Sequence, residues 1–178
     1  MSWVPLVSEE QASPEVKRMY DYIRERWSFV PNYFYALGRD SQLLQDQMNL
    51  FTNAMYEDRG LPRLLKEELA LVVSGLNSST YCLAAHMEIL GKLGVEKSVG
   101  RKLARDYPSA PVEPKVMELF RFAEKLTRSP ATMEKADVDR LREAGWSDAA
   151  IFDTVLVTSL YGCANRFSAG LGLLADFQ

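Results

Sequence analysis

Proline and glycine breakers divide this chain into segments in which the apolar residues recur at helical spacing. Ser13 has the chemistry of an N-cap and Pro14 suits the first helical position, so a helix is predicted from there to about Trp27. The same spacing predicts further helices over about 41–57, 63–76, 80–91, 97–106, 115–128, 137–144 and from 149 onward. No segment has the two-residue alternation of a strand, and the sequence therefore predicts an all-α protein.

The sequence also predicts the conformation of two connections between these segments. Pro31 biases Val30 away from the α region, which predicts a turn or an extended link over 29–32. Residues 77–79 have the chemistry of a helix cap, and the pattern leaves open whether they form a turn or only a kink.

The length of 178 residues predicts one domain, 1–178. Its predicted parts are N-terminal helices over 1–60, a helix pair over 61–95 and C-terminal helices over 113–178. The segment Leu71–Ser74 resembles Leu156–Ser159, and this short echo indicates a weak internal two-fold repeat of helix pairs.

Charge and hydropathy limit the partners of the chain. A net charge of −3 and a pI near 5.3 argue against a nucleic-acid surface. The longest strongly apolar run, LALVV, is far shorter than a membrane span, and the first residues lack the basic and apolar regions of an export signal. We therefore expect a cytoplasmic protein with no nucleic-acid or membrane partner, whose two cysteines are free thiols.

The motifs of several other chemistries are missing from the sequence. With one histidine and no HExxH, CxxC or acidic cluster, a metal site would lack ligands. No glycine-rich loop follows a strand, and no G-x-S-x-G motif is present. The sequence thus predicts neither a metal nor a cofactor.

The only histidine, His86, lies four residues after one of the two cysteines, Cys82. Residues i and i+4 share a helix face, so the thiol and the imidazole can meet if residues 80–90 are helical. The start of a helix also favours a thiolate, because unpaired N–H groups and the helix dipole attract negative charge. Glu67, on the preceding helix, is a candidate to hold the imidazole. These features predict a Cys82 thiol whose pKa lies below that of a free thiol.

The same residues also fit a structural interpretation. Free cysteine is among the most buried residue types, and the residues that follow Cys82 are apolar. Cys163 has no histidine near it in the sequence, which favours a structural role for that thiol. Glu67, Glu68 and Glu88 would, on this interpretation, be solvated charges on helix faces.

The residues around the Cys82–His86 pair resemble a signature of the AhpD-like, carboxymuconolactone decarboxylase-related family, in its peroxidase-related (alkylhydroperoxidase-like) branch. That signature has a glutamate, an apolar helix with S-x-x-N, and then C-x-x-C-x-x-x-H. The chain matches it at Glu67, Ser74, Asn77, Tyr81, Cys82 and His86. The resemblance extends from SPEVKRMYDYIRERWSFVPNYF near the start to YGCANRFSAGLGL near the end.

The resemblance implies an AhpD-like helical bundle, assembled as a dimer, trimer or hexamer, with a role in antioxidant defence. In members with both cysteines, the glutamate and histidine relay a proton that activates the second cysteine, and the first cysteine resolves the product as a disulfide. Carried over to this chain, Cys82 is the reactive cysteine, and Glu67 and His86 are the relay that serves reduction of a hydroperoxide. Further candidates for supporting roles are Ser79, Tyr81, Asn165, Arg166 and Cys163.

The chain departs from the family pattern at the first cysteine, whose position is taken by Ser79. Serine cannot form a disulfide, so a sulfenic acid on Cys82 would need an external thiol donor, or Cys163 if that residue lies close. The closing motif also has Gly162 where relatives often carry asparagine.

Three functions are therefore left open by the sequence. The first is a peroxidase with a single active-site cysteine. The second is a decarboxylase-type enzyme, in which His86 and Glu67 do acid–base work on a carboxylated substrate that Arg166 would hold. The third is a non-catalytic oligomeric or redox-sensing protein on the same fold.

Overall fold

The computed structural model describes residues 2–177, and the regular elements of that range are all helical. The α-helices of the described range are α1 (Pro14–Trp27), α2 (Asn32–Leu37), α3 (Ser41–Met55), α4 (Arg63–Leu76), α5 (Thr80–Lys92), α6 (Lys97–Arg105), α7 (Pro114–Arg128), α8 (Lys135–Glu143) and α9 (Asp148–Gly170). Short 3-10 turns at Tyr107–Ser109 and Pro130–Thr132 lie before and after α7. The prediction of an all-α protein is confirmed.

Polar side chains fix the starts of three of these helices. The caps are Ser13, which accepts from the Val16 N–H at 3.3 Å, Asp40, which accepts from Leu43 at 2.9 Å, and Ser147, which accepts from Ala150 at 3.2 Å. Each bond satisfies a donor that the helix itself leaves unpaired. The predicted helix starts therefore agree with the structure to within one or two residues.

The connection after α1 differs from its prediction, because α2 begins within it at Asn32. Pro31 is extended, as expected, and serves as the N-cap of α2. The buried residues of this short helix are Tyr33, Phe34, Ala36 and Leu37. Six residues are too few to form a stable helix alone, so α2 depends on packing against the rest of the protein.

The helix α4 lies at the centre of the bundle and packs against α5, α6, α7 and α9. Its buried residues are Leu65, Lys66, Glu67, Leu69, Ala70, Leu71, Val72, Val73 and Ser74. A helix that is apolar around its whole circumference is enclosed on all sides. The two charged residues in this run therefore need partners inside the protein.

Residues 77–79 form a true turn between α4 and α5. Ser78 has a left-handed backbone conformation with φ 53°, and the Ser79 N–H donates to the Ser74 carbonyl at 3.0 Å. The Asn77 side-chain amide donates to the Val73 carbonyl at 3.1 Å and caps the end of α4. The chain reverses here, and Cys82 comes to lie in the first turn of α5.

A buried ion pair holds α4 against α9. Lys66 Nζ lies 3.2 Å from Asp153 Oδ2, and neither side chain is exposed to solvent. Lys66 also donates to the Glu57 carbonyl at 2.5 Å, and the same Asp153 oxygen accepts the Gly60 and Leu61 N–H groups at 3.1 Å each. Only glycine fits at position 60, because a Cβ there would clash with the α9 backbone. These contacts fix the loop that leads into α4.

Two predictions about organisation stay predictions: the single domain over 1–178 and the internal repeat of helix pairs. Across residues 2–177, the structure contains no helix that is both long and apolar enough to cross a membrane.

We expect Lys66→Met to lower the free energy of unfolding by about 3–5 kcal/mol, because it leaves the buried Asp153 carboxylate with only the more distant and partly exposed Arg59 as its cation. The double variant Lys66→Met/Asp153→Leu removes both charges and should lose less than the single variant. Urea unfolding followed by circular dichroism measures both.

The matched control for this prediction is Lys135→Ala, which breaks the exposed pair between Lys135 and Asp139. It should leave the urea midpoint close to that of the wild type. A Lys66→Met variant as stable as the wild type would contradict the role given to the buried pair.

Candidate active site

The carboxylate of Glu67 and the imidazole of His86 meet inside the protein. His86 Nδ1 lies 2.6 Å from Glu67 Oε2, and both side chains are almost fully buried. Burial alone raises the pKa of the Glu67 carboxyl, but the His86 ring and the Arg63 guanidinium outweigh it and hold that pKa below its usual value. With Nδ1 facing the carboxylate, Nε2 is the ring nitrogen left to accept a proton.

Arg63 is a member of this cluster that the sequence analysis missed. It lies one helical turn before Glu67, and its Nε donates to Glu67 Oε1 at 2.7 Å. Its guanidinium also stacks on the Tyr56 ring, 3.7 Å from the ring centre. The four-residue spacing of Arg63 and Glu67 on α4 was the available signal, since side chains i and i+4 are neighbours on a helix.

The ring of Tyr161, on α9, packs against the imidazole in an edge-to-face arrangement. The centres of the Tyr161 and His86 rings are 4.5 Å apart, with an angle of 80° between the ring planes. Burial raises the pKa of the Tyr161 hydroxyl well above its usual value, so this side chain is a neutral wall of the site. The imidazole is thus fixed by a carboxylate at one edge and by an aromatic ring beside it.

Cys82 is buried, and its polar contact within the described residues is with Ser168 Oγ, 3.9 Å from the sulfur, rather than with His86. Burial raises the pKa of the thiol, and hydrogen bonding from Ser79, Asn165 and Ser168 offsets only part of this rise. The expectation of a lowered pKa is therefore wrong. The start of α5 does favour a thiolate, but removing the sulfur from water disfavours it more.

A polar network holds the 77–79 turn beneath the thiol. Asn165 of α9 donates to Ser74 Oγ at 3.1 Å and accepts from the Asn77 amide at 2.9 Å. Ser79 Oγ is buried and has no well-formed hydrogen bond of its own, so its hydroxyl is free to turn toward Cys82. Asn165 and Ser79 thus both lie within hydrogen-bonding reach of the Cys82 thiol.

The Tyr81 hydroxyl links α5 to α2 and to the C-terminal tail. It donates to Asp176 Oδ2 at 2.5 Å and accepts the Tyr33 N–H at 3.1 Å. Asp176 also accepts the Asn32 N–H at 2.9 Å, and burial raises the pKa of its carboxyl. Tyr81 therefore anchors the C-terminal tail beside α2.

Two of the sequence candidates lie apart from the buried cluster. Arg166 is exposed, and its Nη1 donates to the Gly162 carbonyl at 2.6 Å. Cys163 is also exposed, and both cysteines are free thiols. Since each helical residue turns by about 100°, Cys163 lies roughly 140° around α9 from Ser168, the residue that contacts Cys82. Cys163 thus faces away from the Cys82 thiol.

A cavity of about 380 Å³ joins the thiol and the imidazole. Cys82, His86 and Glu67 line it together with an aromatic wall that includes Trp27, Phe29, Phe34, Phe51, Tyr161 and Phe177. Two of its cations are already paired, because Arg63 binds Glu67, and Lys92 lies 3.4 Å from Glu88. The cavity therefore offers an apolar space beside a thiol and a base.

Among residues 2–177 there is no group of three or more histidine, cysteine, aspartate and glutamate side chains that could hold a metal ion.

Residues 42–125 match the model of the carboxymuconolactone decarboxylase family, a range that extends from α3 into α7. No curated protein matches this chain.

Several solved structures share the fold over almost the whole chain. An uncharacterized peroxidase-related protein from Silicibacter sp. TM1040 is 28% identical, with a TM-score of 0.88 over 97% of this chain and 92% of that chain. The alkylhydroperoxidase AhpD core protein from Ralstonia eutropha JMP134, also an uncharacterized peroxidase-related protein, is 24% identical, with a TM-score of 0.90 over 98% and 92%.

A third similar structure is the debrominase Bmp8, a cysteine-to-alanine variant in complex with 2,3,4-tribromopyrrole. It is 19% identical, with a TM-score of 0.81 over 99% of this chain and 94% of that chain. The family match in the central helices and the fold shared by nearly all of the chain agree with the motif around Cys82. The central helices of this chain thus match the carboxymuconolactone decarboxylase family, and the chain as a whole is similar in fold to the AhpD-like, peroxidase-related structures.

Proposed function

We propose that this protein is a thiol-dependent hydroperoxide reductase in which Cys82 is the only redox-active cysteine. The observation that carries the proposal is the cavity shared by the Cys82 thiol and the buried Glu67–His86 pair. A nucleophile beside a base that a third group orients is the arrangement used for nucleophilic catalysis.

In the proposed reaction, His86 Nε2 takes the proton of the Cys82 thiol as the hydroperoxide enters the cavity. The sulfur attacks the terminal peroxide oxygen, forming an S–O bond while the O–O bond breaks. The leaving alkoxide takes the proton from the imidazolium and departs as an alcohol. Cys82 is thereby oxidised to a sulfenic acid, and the hydroperoxide is reduced.

An external thiol completes the proposed cycle. Its thiolate attacks the sulfenic sulfur and forms a mixed disulfide, and the oxygen leaves as water. A second external thiol then reduces the mixed disulfide, releasing the Cys82 thiol and a small disulfide. Ser79 cannot resolve the sulfenic acid, and Cys163 faces away from it, so both reducing equivalents come from outside this chain.

Because the pKa of the Cys82 thiol is raised, the proposed reaction needs His86 as a base to remove the thiol proton. A buried thiol is protonated at rest, so it stays unreactive until a base removes the proton. Deprotonation inside the cavity is favoured when the base is held in place and the sulfur is hydrogen-bonded by nearby hydroxyls. Ser168, and the free hydroxyl of Ser79, supply such donors.

The lining of the cavity favours an organic hydroperoxide over a carboxylated substrate. A substrate carboxylate would need a cation, but Arg63 and Lys92 are paired with Glu67 and Glu88, and Arg166 does not line the cavity. Arg26, which lines the cavity and donates to the Tyr22 hydroxyl, is the cation that a decarboxylase would have to use, and the aromatic residues around it favour an apolar substrate instead. A homo-oligomer and a cytoplasmic location remain part of the proposal.

A second candidate function is reductive dehalogenation of a small aromatic ring. One buried thiol in an aromatic-lined cavity favours it, and the debrominase Bmp8, which has the same fold, binds a brominated pyrrole. In this reaction the thiolate would take bromine as Br⁺ and the ring carbon would take a proton. An external thiol would displace bromide from the S–Br bond and form a mixed disulfide, which a second external thiol would reduce to regenerate the Cys82 thiol. Assaying 2,3,4-tribromopyrrole beside cumene hydroperoxide, both with dithiothreitol, distinguishes the two functions.

We expect Cys82→Ser to abolish consumption of cumene hydroperoxide, because the attacking sulfur is gone, and Cys163→Ser to retain it. The measurement is the loss of peroxide with dithiothreitol as donor, together with mass spectrometry of the sulfenic acid trapped by dimedone. Equal activity of both variants would contradict the proposal. If the wild type consumes no hydroperoxide with any thiol donor, the non-catalytic alternative is favoured.

In the Cys163→Ser background, alkylation of native Cys82 by iodoacetamide should be slow near neutral pH. Because burial raises the pKa of Cys82, the rate should still be rising above about pH 8.5, where a free thiol begins to level off. The same protein in urea, where the thiol is solvated, is the control and should level off at the ordinary value. A native rate that reaches its plateau below neutral pH would contradict the raised pKa.

A further inference from the structure

Both oxygens of the Glu67 carboxylate are bound, each by a different side chain. Oε2 lies 2.6 Å from His86 Nδ1, and Oε1 accepts from Arg63 Nε at 2.7 Å and also contacts the outer nitrogen of the same guanidinium. The planar fork of an arginine matches a carboxylate in direction as well as in charge. Glu67 is therefore held in one orientation.

Arg63 is itself held from the opposite side. Its guanidinium stacks 3.7 Å from the centre of the Tyr56 ring, and the Tyr56 hydroxyl accepts the Trp27 Nε1–H at 2.8 Å. Tyr56 and Trp27 both line the cavity, and Tyr56 is 43% exposed. A continuous series of contacts thus joins the aromatic wall of the cavity to the imidazole.

We infer that Arg63, stacked on Tyr56, is a positioning residue that fixes the tautomer and the orientation of His86 through Glu67. The carboxylate orients the Nδ1–H, and this leaves Nε2 as the acceptor toward the cavity. Without Arg63 the carboxylate would have one unbound oxygen and could rotate. The imidazole would then sample both tautomers. The consequence for turnover rests on the proposed function of Cys82, whereas the effect on the tautomer does not.

The structure distinguishes this role from simple charge compensation. If Arg63 only balanced the charge of Glu67, a lysine at position 63 would serve equally, because it keeps the charge. Lysine has neither the planar fork that binds the carboxylate nor the flat surface that stacks on Tyr56. Positioning therefore predicts that Arg63→Lys fails to restore the wild-type tautomer.

The test uses the fact that His86 is the only histidine of the chain. ¹⁵N NMR of the imidazole reads its tautomer directly, with no assignment needed. We expect the wild type to carry the proton on Nδ1. Arg63→Ala, Arg63→Lys and Tyr56→Leu should each give averaged or doubled imidazole signals. Circular dichroism confirms that each variant is folded.

Arg128→Ala is the matched control. Arg128 forms the same kind of four-residue pair, with its Nε 3.0 Å from Glu124 Oε1, but it lies on α7 outside the cavity lining. This variant should keep the wild-type tautomer and the wild-type rate of peroxide reduction. A change in the imidazole signals of Arg128→Ala would show that the readout is not specific for Arg63 and would overturn the inference.

Activity gives the second readout. We expect Arg63→Ala to reduce kcat/KM for cumene hydroperoxide by roughly 10- to 100-fold, the size of effect seen when a group that orients a metal-bound histidine is removed. A folded Arg63→Ala with a wild-type tautomer, or an Arg63→Lys that fully restores it, overturns the inference and leaves the role of Cys82 intact. A wild type that reduces no hydroperoxide overturns the proposed function, and the NMR result then decides the role of Arg63 alone.

Discussion

The ion pair between Lys66 and Asp153 is the constraint on which the position of α4 depends. A buried charge is tolerated only where a partner and further hydrogen bonds replace the water that it has lost. Asp153 meets this condition by binding Lys66 and the N–H groups of the loop before α4. The pair thus fixes where α4 starts and which of its faces turns toward α9, and through this the directions of Arg63 and Glu67.

The consecutive α4 residues Lys66 and Glu67 are both buried, carry opposite charges and bind different partners. Successive side chains are about 100° apart around a helix, so Lys66 faces α9 and its loop while Glu67 faces α5. Each charge is neutralised where it lies. The Cys82 thiol has no cation bonded to it in the described part of the chain, and burial accordingly keeps it protonated.

Most of the helices could be predicted well, because caps, breakers and periodicity are local properties of the chain, whereas the pattern at residues 77–79 did not distinguish a turn from a kink. The short helix α2 could not, since its six residues carry no readable period and depend on tertiary packing. The lowered pKa expected for Cys82 was wrong for a related reason. Helix position and spacing can be read from sequence, but the degree of burial, which decides the pKa here, cannot.

The sequence by itself determined an all-α chain in which Cys82 begins a helix and His86 follows one turn later, because these features depend on neighbours along the chain. Only the tertiary structure decided that Glu67 binds His86 and is itself held by Arg63 stacked on Tyr56, that Asp153 receives Lys66, and that Cys82 is buried while Cys163 is exposed. Apart from the bond between Arg63 and Glu67 within α4, these contacts join different elements of the fold. Their formation depends on which faces the packing of α4 brings together, and no local pattern records that choice.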